Sequence, residues 1–262
     1  MKETETTRGT LPLHTHPSQP HIIPFTFPGL EKVRVAFTTR RGGSSSGHCS
    51  QGNLSYAVGD SPQHVQANRA ALSTACGFDT LVETKQVHGT RLIHTEAPLA
   101  ETLEADGMAT ATPGLGLCVK TADCQPVLLA HTSARAVAAL HIGWRGNRAA
   151  FPQQAVQQFC ELYTLSPKDI LAVRGPSLGP GKSEFIHFER EWGADFHPYY
   201  HHERCSMDLW RLTRDQLLYA GLPAANIFSL DLCTYSLPSL FFSYRRDQAC
   251  GRQAGLIWIS RH

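Results

Sequence analysis

The chain has 262 residues, of which 42% are hydrophobic and 18% are charged, and its formal net charge is +2. This balance excludes a disordered chain and a strongly basic one, so we expect a small-molecule ligand and neither a nucleic acid nor a membrane as partner. Residues 1–21 lack the apolar stretch of a secretory signal, and no window reaches the roughly 18 apolar residues of a membrane span. We therefore expect a cytoplasmic protein.

Changes of pattern divide the chain into a leader and one folded body. Residues 1–24 carry four prolines and three histidines without periodicity, which predicts a flexible leader, and the body is residues 25–262. Apolar runs and turn residues predict the following elements: a strand at 33–38, a helix at 61–77, a strand at 91–95, successive strands from 115 to 142, a helix around 156–163, a strand at 170–173, a helix from 208 to 221, and strands at 226–230, 241–244 and 254–259. Helices and strands intermix throughout, so we expect a mixed α/β fold, a single domain with a mixed β-sheet flanked by helices.

Two apolar runs joined by the link 131–134 predict a β-hairpin. If the turn is centred on Thr132-Ser133, Cys124 and His141 lie directly opposite each other. Opposed residues share a face of the sheet with Cβ atoms about 4.5–5.5 Å apart, so a thiolate and an imidazole at these positions could meet one metal ion. A core cysteine beside a hydrogen-bonded histidine gives the same pattern, and a shifted turn would change the register.

Two further positions carry weak signals by themselves. His88 stands before Gly89 and a predicted strand, and Asp106-Gly107 is an ordinary turn signal. The sequence contains no P-loop, no G-x-G-x-x-G fingerprint and no internal repeat of 20 to 50 residues. The standard nucleotide-binding folds are therefore unsupported.

Six short motifs follow one another along the chain. They are Lys-Gln-Val-His88, Ala-Asp106-Gly, Thr-Ala-Asp123-Cys124-x-Pro-Val-Leu-Leu, His141-x-Gly-Trp-Arg145-Gly, Gly175-Pro-x-x-Gly179-Pro and Phe241-Phe-Ser-Tyr-Arg-Arg246-Asp. Together and in this order they resemble the YfiH family, also called DUF152 or the laccase-domain (multicopper polyphenol oxidase) family. The resemblance covers most of the chain outside the leader, and it implies that residues 25–262 form a YfiH-like catalytic domain.

The resemblance implies that His88, Cys124 and His141 match the family's zinc ligands. Three protein ligands with an open fourth position are typical of catalytic zinc. Family members are described as purine nucleoside enzymes that cleave adenosine, inosine or methylthioadenosine with phosphate and also deaminate adenosine. Zinc can lower the pKa of bound water towards about 7 and so supply hydroxide for attack on C6 of adenine, while phosphate is oriented against the ribose C1′ in the other reaction.

Further roles are assigned on the same basis. The predicted catalytic residues are Cys124, Asp123 and Asp106, and the two aspartates are candidates for proton transfer or for support of a zinc-bound imidazole. Arg40, Arg41 and Arg145 are predicted substrate or phosphate contacts. The loop 175–181 is a candidate for presenting backbone N–H groups to an anion. After Gly179-Pro180 the chain lacks cysteines and a tyrosine that many relatives carry, so we expect its substrate preference to differ.

Three alternatives stay open. Cys124 could act as a nucleophile with His141 as its base, which would give a Cys-His hydrolase of the kind linked to peptidoglycan precursor editing. The older family name suggests a copper-dependent polyphenol oxidase, but such a site needs about ten ligands, mostly in His-x-His pairs, and the chain has one such pair, His14-Thr15-His16. The third alternative is a non-catalytic metal site at His197, His201 and His202.

Overall fold

The structure is a computed structural model of the chain, and it describes residues 19–99 and 103–261. The strands within these ranges are β1 (Ile22–Phe25), β2 (Val33–Thr38), β3 (Thr80–Val82), β4 (Leu92–His94), β5 (Gly107–Thr110), β6 (Leu115–Thr121), β7 (Gln125–His131), β8 (Val137–Ile142), β9 (Ile170–Arg174), β10 (Tyr200–His201), β11 (Ser206–Met207), β12 (Ile227–Ser229) and β13 (Gln253–Ile259). The α-helices are α1 (Pro62–Cys76), α2 (Trp144–Arg148), α3 (Phe151–Tyr163), α4 (Phe188–Glu191), α5 (Leu209–Tyr219) and α6 (Tyr244–Asp247).

The larger strands form two mixed sheets. The first sheet has the order β1-β2-β13-β6-β3 and the second has the order β12-β9-β7-β8-β5-β4. Each combines parallel and antiparallel pairs: β3 runs parallel to β6, and β4 runs parallel to β5. The predicted mixed α/β class is confirmed, but the chain builds two sheets where the sequence predicted one.

The main hydrophobic core lies between the two sheets. Val33, Val35 and Phe37 of β2 face this core from the first sheet, and Leu128 and Ala130 of β7 face it from the second. The strand residues of β7, β8 and β9 are buried on both faces. This explains their nearly continuous apolar sequences, because neither face of these strands meets water.

Helices cover the outer faces of both sheets. Helix α1 packs on the first sheet through Leu72, whereas α3 and α5 pack on the second through Phe159 and Leu217. Helix α1 begins with Pro62 and ends at Gly77, whose φ of +73° lets the backbone N–H bond back to the helix. The result is a four-layer arrangement with the two sheets inside.

The β7–β8 hairpin is confirmed, but its predicted register is wrong. Pro126, and not Cys124, pairs with His141. The turn is displaced because Ala134 adopts a φ of +60° and its N–H bonds to the carbonyl of His131. A shift of two residues in the pairing preserves the face, so Cys124, one residue before β7, still lies on the same side as His141.

Two other boundaries differ from expectation. Residues 22–24, predicted to belong to the leader, form part of β1, which pairs with β2; residues 1–18 of the predicted leader lie outside the described residues. The predicted strand at 241–244 is wrong, because Ser243 accepts the N–H of Arg246 through its side chain and starts the short helix α6. No helix in the described ranges is long and apolar enough to cross a bilayer.

Candidate metal centre and cleft

Asp106 is the buried anchor of the site. It lies just before β5 with no exposed surface, and its Oδ1 accepts a hydrogen bond from Nδ1 of His141 in β8 at 2.8 Å. This bond fixes the orientation of the imidazole and leaves Nε2 of His141 available for a ligand. Burial alone would lower the pKa of His141, but the Cys124 thiolate and Asp106 together raise it to about 9.

The same carboxylate shapes the loop that carries His88. The backbone N–H groups of Val87, His88 and Gly89 donate to Asp106 at 3.2, 2.9 and 2.7 Å. His88 has a φ of +61°, a left-handed conformation that a non-glycine residue adopts only when its surroundings enforce it. The Asp106 carboxylate therefore positions both histidines: it binds the ring of His141 and the backbone N–H of His88.

Cys124 is held by the residue before it. Asp123 has a φ of +99°, and its carboxylate accepts the hydroxyl of Thr234 at 2.7 Å and the N–H of Arg245 at 2.6 Å. Its carbonyl accepts the N–H of Leu178. These contacts connect the cysteine backbone to two neighbouring loops, and they occupy both oxygens of the Asp123 carboxylate.

The thiol of Cys124 is electrostatically coupled to the histidines. Burial alone would raise its pKa, but the charge of His141 and hydrogen bonds from His141 and His88 lower the pKa of Cys124 to about 6. Cys124 Sγ lies 3.8 Å from Nε2 of His88. Without a bound ion, the site therefore favours a thiolate beside an imidazolium at neutral pH.

The ligand atoms of His88, Cys124 and His141 all lie within 4.8 Å of one another, which is close enough for one metal ion. A tetrahedral ion with usual bond lengths separates sulfur and nitrogen ligands by about 3.6 Å, near the observed spacing of Cys124 and His88. Gly143 makes this convergence possible, because a Cβ there would lie 2.7 Å from Cδ2 of His88 and 3.3 Å from Sγ of Cys124. In the described part of the chain, no other group of three or more His, Cys, Asp or Glu side chains converges in this way.

The three ligands line a cleft of about 820 Å³ between the ends of the two sheets. This volume is in the usual range of small-molecule sites. Charged side chains on its walls are mostly cationic: Lys85, Lys120, Arg145, Arg245 and Arg252 against Glu83 and Asp123. Its aromatic walls are Tyr56, Trp144, Phe185 and Tyr244.

Comparison with known proteins places this architecture in a family. Residues 34–260 match the family model described as multi-copper polyphenol oxidoreductase laccase. The chain is 34% identical to the protein named purine nucleoside phosphorylase YfiH of Escherichia coli (strain K12), over 91% of this chain and 98% of the relative. The chain belongs to the YfiH (DUF152) family. A purine nucleoside phosphorylase of Deinococcus radiodurans is 35% identical over 89% of this chain and 93% of its own length.

Solved structures of YfiH-family proteins share the fold. A Neisseria meningitidis protein of DUF152 superposes with a TM-score of 0.82 at 30% identity, over 91% of this chain and 99% of its own. YlmD from Geobacillus stearothermophilus gives a TM-score of 0.81 at 27% identity, over 90% and 94% of the two chains. The predicted resemblance to the YfiH family is therefore confirmed.

Two of the three predicted phosphate contacts lie outside the cleft. The guanidinium of Arg40 donates to the carbonyls of Ser50 and Pro238, and that of Arg41 donates to the carbonyl of Ser239. Both side chains thus fasten loops of this YfiH-family fold, and neither lines the cleft. Arg145 does line it, and within the described residues its guanidinium has no hydrogen-bond acceptor and rests over the Trp144 ring at 4.5 Å.

Two other candidate sites are not assembled for ligand binding. In the loop 175–181, the N–H groups of Gly175, Ser177 and Gly179 are occupied by Pro126, Leu232 and Cys233, so the loop does not present them to an anion. His197, His201 and His202 do not form one of the metal-compatible groups found among the described residues.

Sequence reasoning missed several lining residues. Lys120 is the single charged residue within the apolar strand β6, and that position is the one signal that could have identified it. Arg245 lies within the 241–247 motif but was given no role, and Arg252 precedes β13 with nothing in its local sequence to separate it from a surface arginine. Their placement depends on the packing of the 234–252 segment against Asp123.

Proposed function

We propose that this YfiH-family chain is a zinc-dependent purine nucleoside enzyme. It cleaves adenosine, inosine or methylthioadenosine with phosphate, giving the free base and the (methylthio)ribose 1-phosphate, and it deaminates adenosine hydrolytically. The observation that carries this proposal is the convergence of one thiol and two imidazoles on a cleft with cationic walls. The curated relatives are named purine nucleoside phosphorylases, which supports the phosphorolytic part of this proposal.

Zinc fits the donor set best. One sulfur and two imidazole nitrogens suit zinc, and three protein ligands leave a position for a reactant. His88, Cys124 and His141 would hold the ion, with the thiolate already favoured by its lowered pKa. When bound, zinc polarises a water molecule or an oxygen of the substrate and lowers the pKa of water towards neutrality.

We assign both aspartates to positioning. The Asp106 carboxylate is fully buried and receives four hydrogen bonds, one from the His141 ring and three from the loop 87–89, so it does not reach a substrate in the cleft. Asp123 holds Cys124 against the segment that carries Arg245. The His141 ring is engaged at both nitrogens as well, Nδ1 with Asp106 and Nε2 as a ligand of the proposed ion, so its role is also to hold the metal centre.

Phosphorolysis requires a second anionic substrate beside the nucleoside. Arg145 is exposed at the cleft, and its five N–H donors have no acceptor among the described residues. A planar guanidinium binds phosphate through two parallel hydrogen bonds, which fixes the oxygen nucleophile relative to the ribose C1′. We assign Arg145 to this role.

Product analysis from adenosine tests the proposal. With phosphate, we expect adenine and ribose 1-phosphate, inosine and ammonia from deamination, and hypoxanthine from phosphorolysis of that inosine; without phosphate, we expect inosine and ammonia alone. Chromatography of the products separates these outcomes. Absence of every product at stoichiometric zinc would reject the proposed activity.

One alternative retains a specific observation in its favour. The lowered pKa of Cys124 beside His141 is also typical of a cysteine nucleophile, as in a Cys-His hydrolase acting on a peptidoglycan precursor. Such an enzyme needs no metal, so activity on a muramyl peptide that survives removal of the metal by a chelator would favour it. A copper-dependent oxidase has weaker support, because such a site needs about ten ligands, mostly in His-x-His pairs, and the sequence contains one such pair, at 14–16.

A cytoplasmic location is part of the same proposal. All eight cysteines are free thiols. A reducing compartment keeps thiols in this state, and it also supplies nucleosides and phosphate.

A further inference from the structure

One end of the cleft carries positive charge that the neighbouring carboxylate does not fully neutralise. Lys120 of β6 lines the cleft, and its side chain is only 17% exposed. Lysine is seldom buried to this degree without a partner, and here the partner is the carboxylate of Glu83. That carboxylate already binds Arg69 through two hydrogen bonds of 2.9 Å each. Glu83 therefore serves two cations, and the group of three retains one positive charge.

Arg252 adds a second uncompensated cation on the same side. Ala254 pairs with Lys120 across β13 and β6, so Arg252, two residues before Ala254, lies on the same face as Lys120 and diagonally across from it. Diagonal neighbours are about 7–8 Å apart, within reach of long side chains. One guanidinium nitrogen of Arg252 donates to the carbonyls of Cys250 and Gly251. Its Nε and Nη2 have no acceptor within residues 19–99 and 103–261.

The backbone under this pair is firmly held. The amide of Gln86 bonds to both the carbonyl and the N–H of Lys120, at 2.7 and 2.8 Å, as a neighbouring strand would. The N–H of Arg252 bonds to Oδ1 of Asn53 at 2.9 Å. Lys120 on β6 and Arg252 just before β13 are partly buried, keep free N–H donors and line one wall of the cleft. They are therefore arranged to receive an anion with little loss of side-chain freedom.

We propose that Lys120 and Arg252 form a phosphate-binding subsite at the end of the cleft on the side of the first sheet. It is separate from Arg145, which follows β8 of the second sheet. A lysine supplies a point charge and an arginine supplies paired donors, which together suit a phosphate group. The identity of the anion rests on the proposed nucleoside chemistry: it is either the free phosphate co-substrate, which would then bind here and not at Arg145, or the 5′-phosphate of a nucleotide.

Calorimetric titration of the full-length, metal-loaded protein tests the subsite without requiring turnover. The probes are inorganic phosphate alone, inosine alone and inosine 5′-monophosphate alone. We expect Lys120→Gln and Arg252→Gln each to weaken the binding of a phosphate-bearing probe at least about tenfold and to leave inosine within about twofold. Lys120→Arg should restore most of the affinity, because it keeps the charge and the contact with Glu83.

Lys85→Gln is the matched control. Lys85 lies at the same cleft, but its charge is compensated by Glu104 at 2.7 Å and its side chain is 64% exposed. Its loss should change each affinity by less than about twofold. Thermal unfolding of each variant verifies that it is folded, and Arg252→Gln provides an independent test if Lys120→Gln does not fold.

The two sources of phosphate give different results. Weakened binding of inorganic phosphate assigns the subsite to the co-substrate, whereas weakened binding of the nucleotide alone assigns it to a 5′-phosphate. Equal affinities in wild type and both variants, no binding of either phosphate-bearing probe by the wild type, or a parallel loss of inosine binding would overturn the subsite. If adenosine is not turned over and the Lys120 dependence persists, the proposed function fails and the subsite stands.

Discussion

The metal centre and the cationic end of the cleft differ in how far the protein itself satisfies their polar groups. At the centre, the carboxylates of Asp106 and Asp123 are fully engaged by protein donors, and the groups left open are the three converging ligand atoms. At the cationic end, Lys120 and Arg252 retain donors without acceptors in the described chain. The first arrangement fixes a reactive geometry in advance, whereas the second leaves its hydrogen bonds to be completed by a ligand.

Among changes that keep all three ligands, the largest expected effect comes from filling the space beside them. Gly143→Ala places a Cβ 2.7 Å from the His88 ring, so the ring must move away from Cys124. We expect zinc affinity to fall by about 100-fold or more, measured by competition with a chromophoric chelator. Gly181→Ala is the control, because a Cβ there meets nothing within 4 Å. Unchanged zinc affinity in Gly143→Ala would mean that the ligands do not converge as described.

Asp106→Asn tests the support of the two histidines. An amide cannot accept hydrogen bonds at both of its positions, so it loses either the His141 ring or part of the loop 87–89. We expect zinc affinity to fall about 10- to 100-fold. Asp123→Asn should change zinc affinity much less, since its carboxylate contacts Thr234 and Arg245 and not a ligand. The reverse order of effects would transfer the anchoring role to Asp123.

The state of the thiol gives a smaller, pH-dependent effect. Because the pKa of Cys124 is lowered to about 6, the metal-free protein holds a thiolate above that pH and loses it as the pH falls through 6. Alkylation of Cys124 by iodoacetamide should therefore slow about tenfold between pH 7 and pH 5. Peptide mapping by mass spectrometry isolates this site from the other thiols. A midpoint near the ordinary thiol value would refute the coupling to His141.

Arg145→Ala is expected to have the smallest effect and the most selective one. It should slow phosphorolysis roughly fivefold and leave hydrolytic deamination nearly unchanged, because the former reaction alone binds phosphate. The control is Arg148→Ala, which changes an exposed arginine on the same helix that does not line the cleft. Equal losses in both reactions would show that Arg145 contacts the nucleoside or supports the fold.

The secondary structure was predictable where the pattern had a single interpretation. The strand at 33–38, the helices around 61–77 and 208–221, and the strand at 254–259 follow from apolar periodicity and end signals such as Pro62, Gly77 and Gly221. The strand at 241–244 was wrong because two buried phenylalanines in a row need no strand to be buried. The capping hydroxyl of Ser243 decided the local structure instead.

Long-range placement was less predictable for physical reasons. The hairpin register depended on Ala134 taking a left-handed conformation, for which alanine gives no sequence signal. Which aspartate supports the imidazole of His141 depended on a long-range contact. Asp106 makes this contact from 35 residues away, whereas Asp123, only 18 residues away, does not. Arg40 and Arg41 looked like substrate contacts because a glycine-rich loop follows them, but their acceptors, near 50 and 238–239, are distant in sequence.

Metal analysis of the purified protein tests the central claim most directly. The full-length chain, purified without added metal, should contain about one zinc per chain, and Cys124→Ala should contain almost none and turn over no nucleoside. Cys76→Ala serves as the control, because this half-buried thiol is at the end of α1 and is not one of the three ligands. Stoichiometric copper, an active protein without metal, or a Cys124→Ala variant that keeps its zinc would contradict the assignment of His88, Cys124 and His141 as a zinc site.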